Sequence, residues 1–185
     1  MNDDISAHYD STTIGLHWTS AFLVVALWII GQVAELFPKG VYRTNIWSIH
    51  VALGFALATV LIWRIVWRFT GRRRLPAADS GVLQILAEAS HFALYFLMLA
   101  TVALGVVNAF VRGFSLFDIA SLPQFGDKEL KKPITEWHGL AANLLLVLAF
   151  IHTAAALAHH YILKDGVLMR MAPERQPVPQ EPVEF

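Results

Sequence analysis

The chain has 185 residues, 56% of them hydrophobic and only 15% charged, with a mean hydropathy of +0.53. That balance is too apolar for an ordinary soluble domain and reads as a membrane protein, and a formal net charge of zero gives no ground for nucleic-acid binding. The absence of cysteine excludes disulfides, thiolate-bound iron–sulfur clusters and covalent haem attachment through C-x-x-C-H.

Four apolar segments follow one another. They run from about Ile14 to Ala34, Ile46 to Trp67, Val82 to Phe110 and Ile134 to Tyr161. Each is long enough to cross a hydrocarbon core of about 30 Å as a helix. Spanning segments must satisfy their own backbone hydrogen bonds, which leaves helices or closed barrels, and these segments are too long for barrel strands. The expected fold is all-α, an integral-membrane four-helix bundle over residues 1–172, with a Pro-rich and disordered tail over 173–185. The leading MNDDISAHYDSTT is acidic, whereas a secretory signal peptide opens on basic residues, so the first apolar segment is expected to be retained.

The loops set the orientation. Arg64, Arg68, Arg72, Arg73 and Arg74 cluster where the second segment ends, which places that loop in the cytoplasm by the positive-inside rule. Both termini are then cytoplasmic, in agreement with Lys164, Arg170 and Arg175 after the last segment. The other two loops face outward and also carry base: Lys39 and Arg43 in one, Arg112, Lys128, Lys131 and Lys132 in the other.

The fourth segment holds His138, His152 and His159 on one stripe. His138 and His152 are two heptads apart, so they leave nearly the same helix face roughly 21 Å apart along the axis. One histidine thus lies near each face of the membrane. An imidazole inside hydrocarbon is costly and marks a function, and two stacked on one face point to two stacked metal centres. Orientation turns the remaining positions into depths. His50 opens the second segment and shares the outer level with His138, so these two are the candidate ligands of an outer centre. On the inner level His152 has two candidate partners, His17 and His91, and spacing does not choose between them.

Structural zinc wants four ligands, and each level offers two or three histidines. A di-iron carboxylate site needs Glu-x-x-His on each of two helices, a paired pattern this chain lacks. Haem needs only one or two axial ligands, and its apolar ring fits between helices rich in Ala and Gly, such as Gly54, Ala56 and Ala58 on the second segment and Gly139, Ala141 and Ala142 on the fourth. Two haem b groups, each held by two imidazoles, is the economical reading.

Plainer roles stand beside these. A lone intramembrane histidine can be a satisfied core residue bonded to a neighbouring helix. That alternative is strongest for His91, which could equally line a quinone pocket or carry protons. His8 is expected to be solvated, and His159 and His160 interfacial, with His159 within reach of a quinone. Trp18, Trp47, Trp63, Trp67 and Trp137 fall at segment ends, where tryptophan anchors helices at the interface. The arginine cluster serves first as a topology signal.

Several short stretches also resemble the bacterial cytochrome b561 family of four-helix dihaem membrane cytochromes, over about Thr13 to Pro173. They are Leu16-His17-Trp18, Ser48-Ile49-His50-Val51, Trp137-His138 with Ala141 and Asn143, Ile151-His152 before the alanine run, and Ala158-His159-His160-Tyr161 with Lys164-Asp165 and Leu168 to Pro173. The resemblance implies haem iron ligation by His17 with His152 on the inner level and by His50 with His138 on the outer one, and a non-ligand role for His91.

The resemblance is greatest to family members that oxidise superoxide with ubiquinone as acceptor. It implies a bacterial inner-membrane oxidoreductase passing single electrons from periplasmic superoxide to ubiquinone. Arg43, Lys131 and Lys132 are then candidates for steering the anion, and His91 and His159 for the quinone or proton path; no residue is assigned as catalytic. Lipid, quinone and superoxide are the expected partners. Two other readings compete: a cytochrome b subunit relaying electrons between the quinone pool and a partner redox protein, and a non-redox membrane protein whose histidines bind a metal ion.

Overall fold

The computed structural model describes residues 8–70, 75–76 and 80–172. The readings placed on Arg72, Arg73, Arg74 and the Pro-rich tail lie outside the described residues.

Four long helices account for the apolar segments: α1 (Ser11–Ala34), α2 (Val41–Phe69), α3 (Gly81–Arg112) and α4 (Lys131–Ala158). Stretches within them reach mean hydropathies of 1.8 to 2.2, enough with their lengths to cross a membrane. The helices start and stop where local chemistry allows. Asp10 caps α1, accepting from the Thr13 amide at 3.0 Å and the Thr13 hydroxyl at 2.7 Å. Partial burial works against the charge on Asp10, but these hydrogen bonds prevail and hold its carboxyl below the usual range. Helix α2 begins ahead of the apolar run at Ile46, because Gly40 at φ 151° breaks the chain and the polar turn Val41–Asn45 then coils as helix. Gly113, left-handed at φ 57°, closes α3. Helix α4 runs into a π-turn (His159–Leu163) and, after left-handed Lys164, a 3-10 turn (Leu168–Met171).

Pairs α1–α2 and α3–α4 pack most closely, leaving a looser seam between the two pairs. A mid-bundle cluster of Leu23, Leu27, Leu57, Leu61, Met98 and Leu145 joins all four helices. Outside it the helices are apolar and open, with Phe22, Phe92 and Phe150 more than 70% exposed. A water-soluble bundle would not present such a surface, whereas lipid tails solvate it without penalty.

The two ends of the bundle are built differently. At one end a two-stranded hairpin, β1 (Ser115–Leu116) with β2 (Ala120–Ser121), follows α3. Its tip residues Phe117 and Asp118 are both left-handed, a strained choice for non-glycine residues. The fully buried Ser48 of α2 holds that tip: its hydroxyl accepts from the Phe117 amide at 2.8 Å and donates to the Thr44 carbonyl at 2.9 Å. At the other end the C-terminal turn forms a strap. The Tyr9 amide donates to Arg170 O at 3.0 Å, the Trp18 indole to Met171 O at 2.9 Å, and the Arg170 guanidinium to Pro76 O at 2.8 Å. The start of α1, the α2–α3 loop and the end of the described chain thus share one end, as an even number of spans requires.

Candidate metal centres between the helices

The seam holds histidines at two levels. At the level nearer the hairpin, His50 of α2 and His138 of α4 face each other with ring centres 6.2 Å apart and planes at 82°. Nδ1 of His138 donates to the Thr101 carbonyl on α3 at 2.9 Å. That bond keeps the ring proton on Nδ1 and leaves Nε2 with its lone pair, the tautomer a metal ligand needs. Nδ1 of His50 is sealed from solvent beside the Leu27 backbone of α1, without a hydrogen bond of ordinary geometry. The Trp47 ring stands edge-on to His50 at 5.4 Å.

Nearer the strap, His152 of α4 meets His91 of α3 with ring centres 5.1 Å apart. His17 of α1 lies close enough to interact with both. Nδ1 of His91 donates to the Ala87 carbonyl one turn back at 2.7 Å. Nδ1 of His17 lies 3.3 Å from the Arg64 guanidinium of α2. Arginine only donates, so His17 accepts through Nδ1 and carries its proton on Nε2; a metal on Nε2 would require that proton to leave Nε2 and, if it moved to Nδ1, the Arg64 contact to break.

Arg64 is the residue that spacing missed. Counted with the basic cluster it is a topology signal, but it turns inward, donating to the Tyr95 hydroxyl at 2.8 Å and stacking over the Tyr95 ring at 5.0 Å. Among the described residues no carboxylate pairs with it. A guanidinium inside a membrane span without a carboxylate is costly and belongs to a site. The available signal was position: Arg64 precedes the end of α2 by five residues, one turn deeper than Arg68.

The outer candidates sit around the hairpin end. Arg43 is bonded to the Glu35 carboxylate and the Phe37 carbonyl, and Lys132 stands 3.8 Å from Glu136, while Lys131 opens α4. Lys39, Arg43, Trp47, Ser115 and Asp118 line a shallow cleft there. At the strap end His159 bonds Asp165 across the π-turn, and that hydrogen bond chiefly holds the Asp165 carboxyl below its usual range. Trp28, which is not at a helix end, bonds Asn143 at 2.8 Å and ties α1 to α4.

Among the described residues no three His, Asp or Glu side chains converge as a bare-ion site would require. Facing imidazoles suit a group with two axial positions instead. Two ring nitrogens each ~2 Å from a shared metal would put the ring centres roughly 6 Å apart, and His50 and His138 stand at 6.2 Å. The tautomer of His138 agrees with that fit.

Four apolar helices with histidines gathered in their seam define a multi-pass helical membrane protein. The chain matches the family model described as prokaryotic cytochrome b561 over residues 8–174, and it belongs to that family. It is therefore a bacterial membrane electron-transfer protein that binds b-type haem. Among curated relatives, it is 28% identical to a protein of Yersinia pestis named probable superoxide oxidase CybB, over 91% of this chain and 97% of that one. It is 31% identical to a cytochrome b562 of Cereibacter sphaeroides over 88% of this chain and 94% of that one. It is also 27% identical to cytochrome b561 homolog 1 of Escherichia coli, over 91% and 98% respectively.

Proposed function

We propose that the chain is an inner-membrane oxidoreductase holding two b-type haems, taking electrons from superoxide at the hairpin end and delivering them to ubiquinone. His50 with His138 ligate one haem, and His17 with His152 the other. The observation that carries this reading is the facing of His50 and His138 across the seam at a separation suited to two axial ligands. The second histidine level on α4, fourteen residues along, supports a second centre, and the Yersinia pestis relative's name supports the substrate. When bound between these histidines, a haem would supply a one-electron centre.

In the net reaction two superoxide anions each lose one electron and leave as dioxygen, while one ubiquinone takes two electrons and two protons and leaves as ubiquinol. The hairpin end faces the periplasm and both termini the cytoplasm. The chain's own part is positional. The helices exclude water, and the Thr101 carbonyl orients His138. Basic groups at the hairpin end raise the local concentration of an anion. Arg43 is partly neutralised by Glu35, and Lys132 stands near Glu136, so that attraction falls mainly to Lys39, Arg112, Lys128 and Lys131, which pair with no carboxylate among the described residues. His159, paired with Asp165, holds and passes a proton at the strap end, and His91 stands beside His152 on the same route.

Stopped-flow mixing of superoxide with the oxidised, haem-loaded protein tests the reading. Rapid growth of the reduced α-band is expected, and an unchanged spectrum on fast mixing would overturn it.

A further inference from the structure

The two facing histidines are each seated against a helix that donates no ligand at their level, and each seat has a glycine four residues after the nearest carbonyl, although only His138 makes the hydrogen bond to it. On α3 the Thr101 carbonyl accepts from His138 Nδ1 at 2.9 Å, and the residue one turn on is Gly105. A Cβ built on Gly105 would stand 2.9 Å from Cε1 and 3.3 Å from Nδ1 of His138. On α1 the Leu27 backbone lies beside His50 Nδ1, and one turn on is Gly31. A Cβ there would stand 3.6 Å from Cε1 and 3.8 Å from Nδ1 of His50.

The spacing has a physical reason. A helical carbonyl bonds the amide four residues on but keeps a second lone pair. A side chain on a helix leans towards the N-terminus and covers the turn before its own Cα. The residue at i+4 therefore shields the carbonyl of residue i from the side, and glycine there uncovers it. An incoming imidazole can then lie flat on the helix, give its Nδ1 proton to the bared carbonyl and present Nε2 to the seam.

We infer that Leu27–Gly31 on α1 and Thr101–Gly105 on α3 are paired carbonyl–glycine notches that set the tautomer and aim of His50 and His138. Gly105 and Gly31 are positioning residues, acting on the bound group only through the two imidazoles. The inference rests on the ligand assignment proposed above. The notches are unequal: at Gly105 any Cβ forces His138 to move, whereas at Gly31 a Cβ reaches ordinary van der Waals contact.

The test uses the full chain purified with its haem, read by low-temperature electron paramagnetic resonance of the ferric low-spin signals and by potentiometric titration. His138→Ala first identifies the signal that belongs to this level; if it removes none, the ligand assignment fails, and that failure is separate from anything the glycines do. Gly105→Ala is expected to shift the g-maximum and midpoint of the His138-dependent signal and leave the other unchanged. Gly31→Ala shifts it less, and Gly31→Val by more. Gly15→Ala, at an open position on α1 where a Cβ meets nothing within 4 Å, moves neither signal. Should Gly105→Ala fail to accumulate, Gly31→Val carries the test by the same readout. Unchanged g-values and midpoints in these variants, or a shift confined to the signal that survives His138→Ala, would overturn the inference.

Discussion

His50 and His138 meet nearly at right angles across the seam, 6.2 Å between ring centres, though they belong to helices of different pairs. Their meeting makes the ligand assignment testable side chain by side chain. His50→Ala and His138→Ala should each lose one haem of two per chain, and the double variant no more than that one. His17→Ala or His152→Ala should lose the other. Pyridine haemochrome titration per chain measures this.

His91→Ala separates the two inner partners of His152. Its ring is 5.1 Å from that of His152, but the proposed assignment gives the axial position to His17. The variant should retain both haems, with at most a small spectral shift. Loss of one haem would transfer the ligand role from His17 to His91.

Ser48→Ala should loosen the hairpin. It leaves the Phe117 amide without its 2.8 Å acceptor at a left-handed residue. Losing one intramolecular hydrogen bond at this half-open site costs about 0.5–1.5 kcal/mol. Hydrogen exchange over residues 115–121 should quicken, while the haem count stays unchanged.

Asn143→Ala removes the hydrogen bond from the Trp28 indole, a polar tie between α1 and α4, which otherwise touch sparsely. Hydrogen bonds between membrane helices contribute ~0.6 kcal/mol on average and up to ~1.7. The free energy of unfolding in detergent should fall by an amount in that range, and Trp28→Phe should lower it at least as much, since it removes the same bond and part of the ring's packing.

The strap carries a pH dependence of definite sign. Asp165 is held below the usual carboxylate range chiefly by its bond to His159, so its folded pKa is depressed. The contribution is complete above the ordinary carboxylate pKa and is lost as pH falls through the lower folded value. Proteolytic cleavage after the π-turn should therefore accelerate only under acid conditions. Asp165→Asn should make cleavage fast at neutral pH as well and remove the acid dependence.

Much of the architecture was legible in the residues. Four apolar runs without room for barrel strands dictate four helices, because hydrocarbon offers no partner for an open backbone. Two heptads on α4 put His138 and His152 on one face, because helical periodicity is local and rigid. The strap and the hairpin were not legible. Both depend on hydrogen bonds between residues far apart in the chain, such as Trp18 with Met171 and Ser48 with Phe117.

Depth along each helix is thus a property of the sequence, since a fixed rise per residue converts position into height. Which side chains meet at a given height belongs to the tertiary structure, since helix period does not specify lateral neighbours. Only packing turns Arg64 inward onto His17, sets His91 against His152, and lays the imidazoles of His50 and His138 beside Gly31 and Gly105.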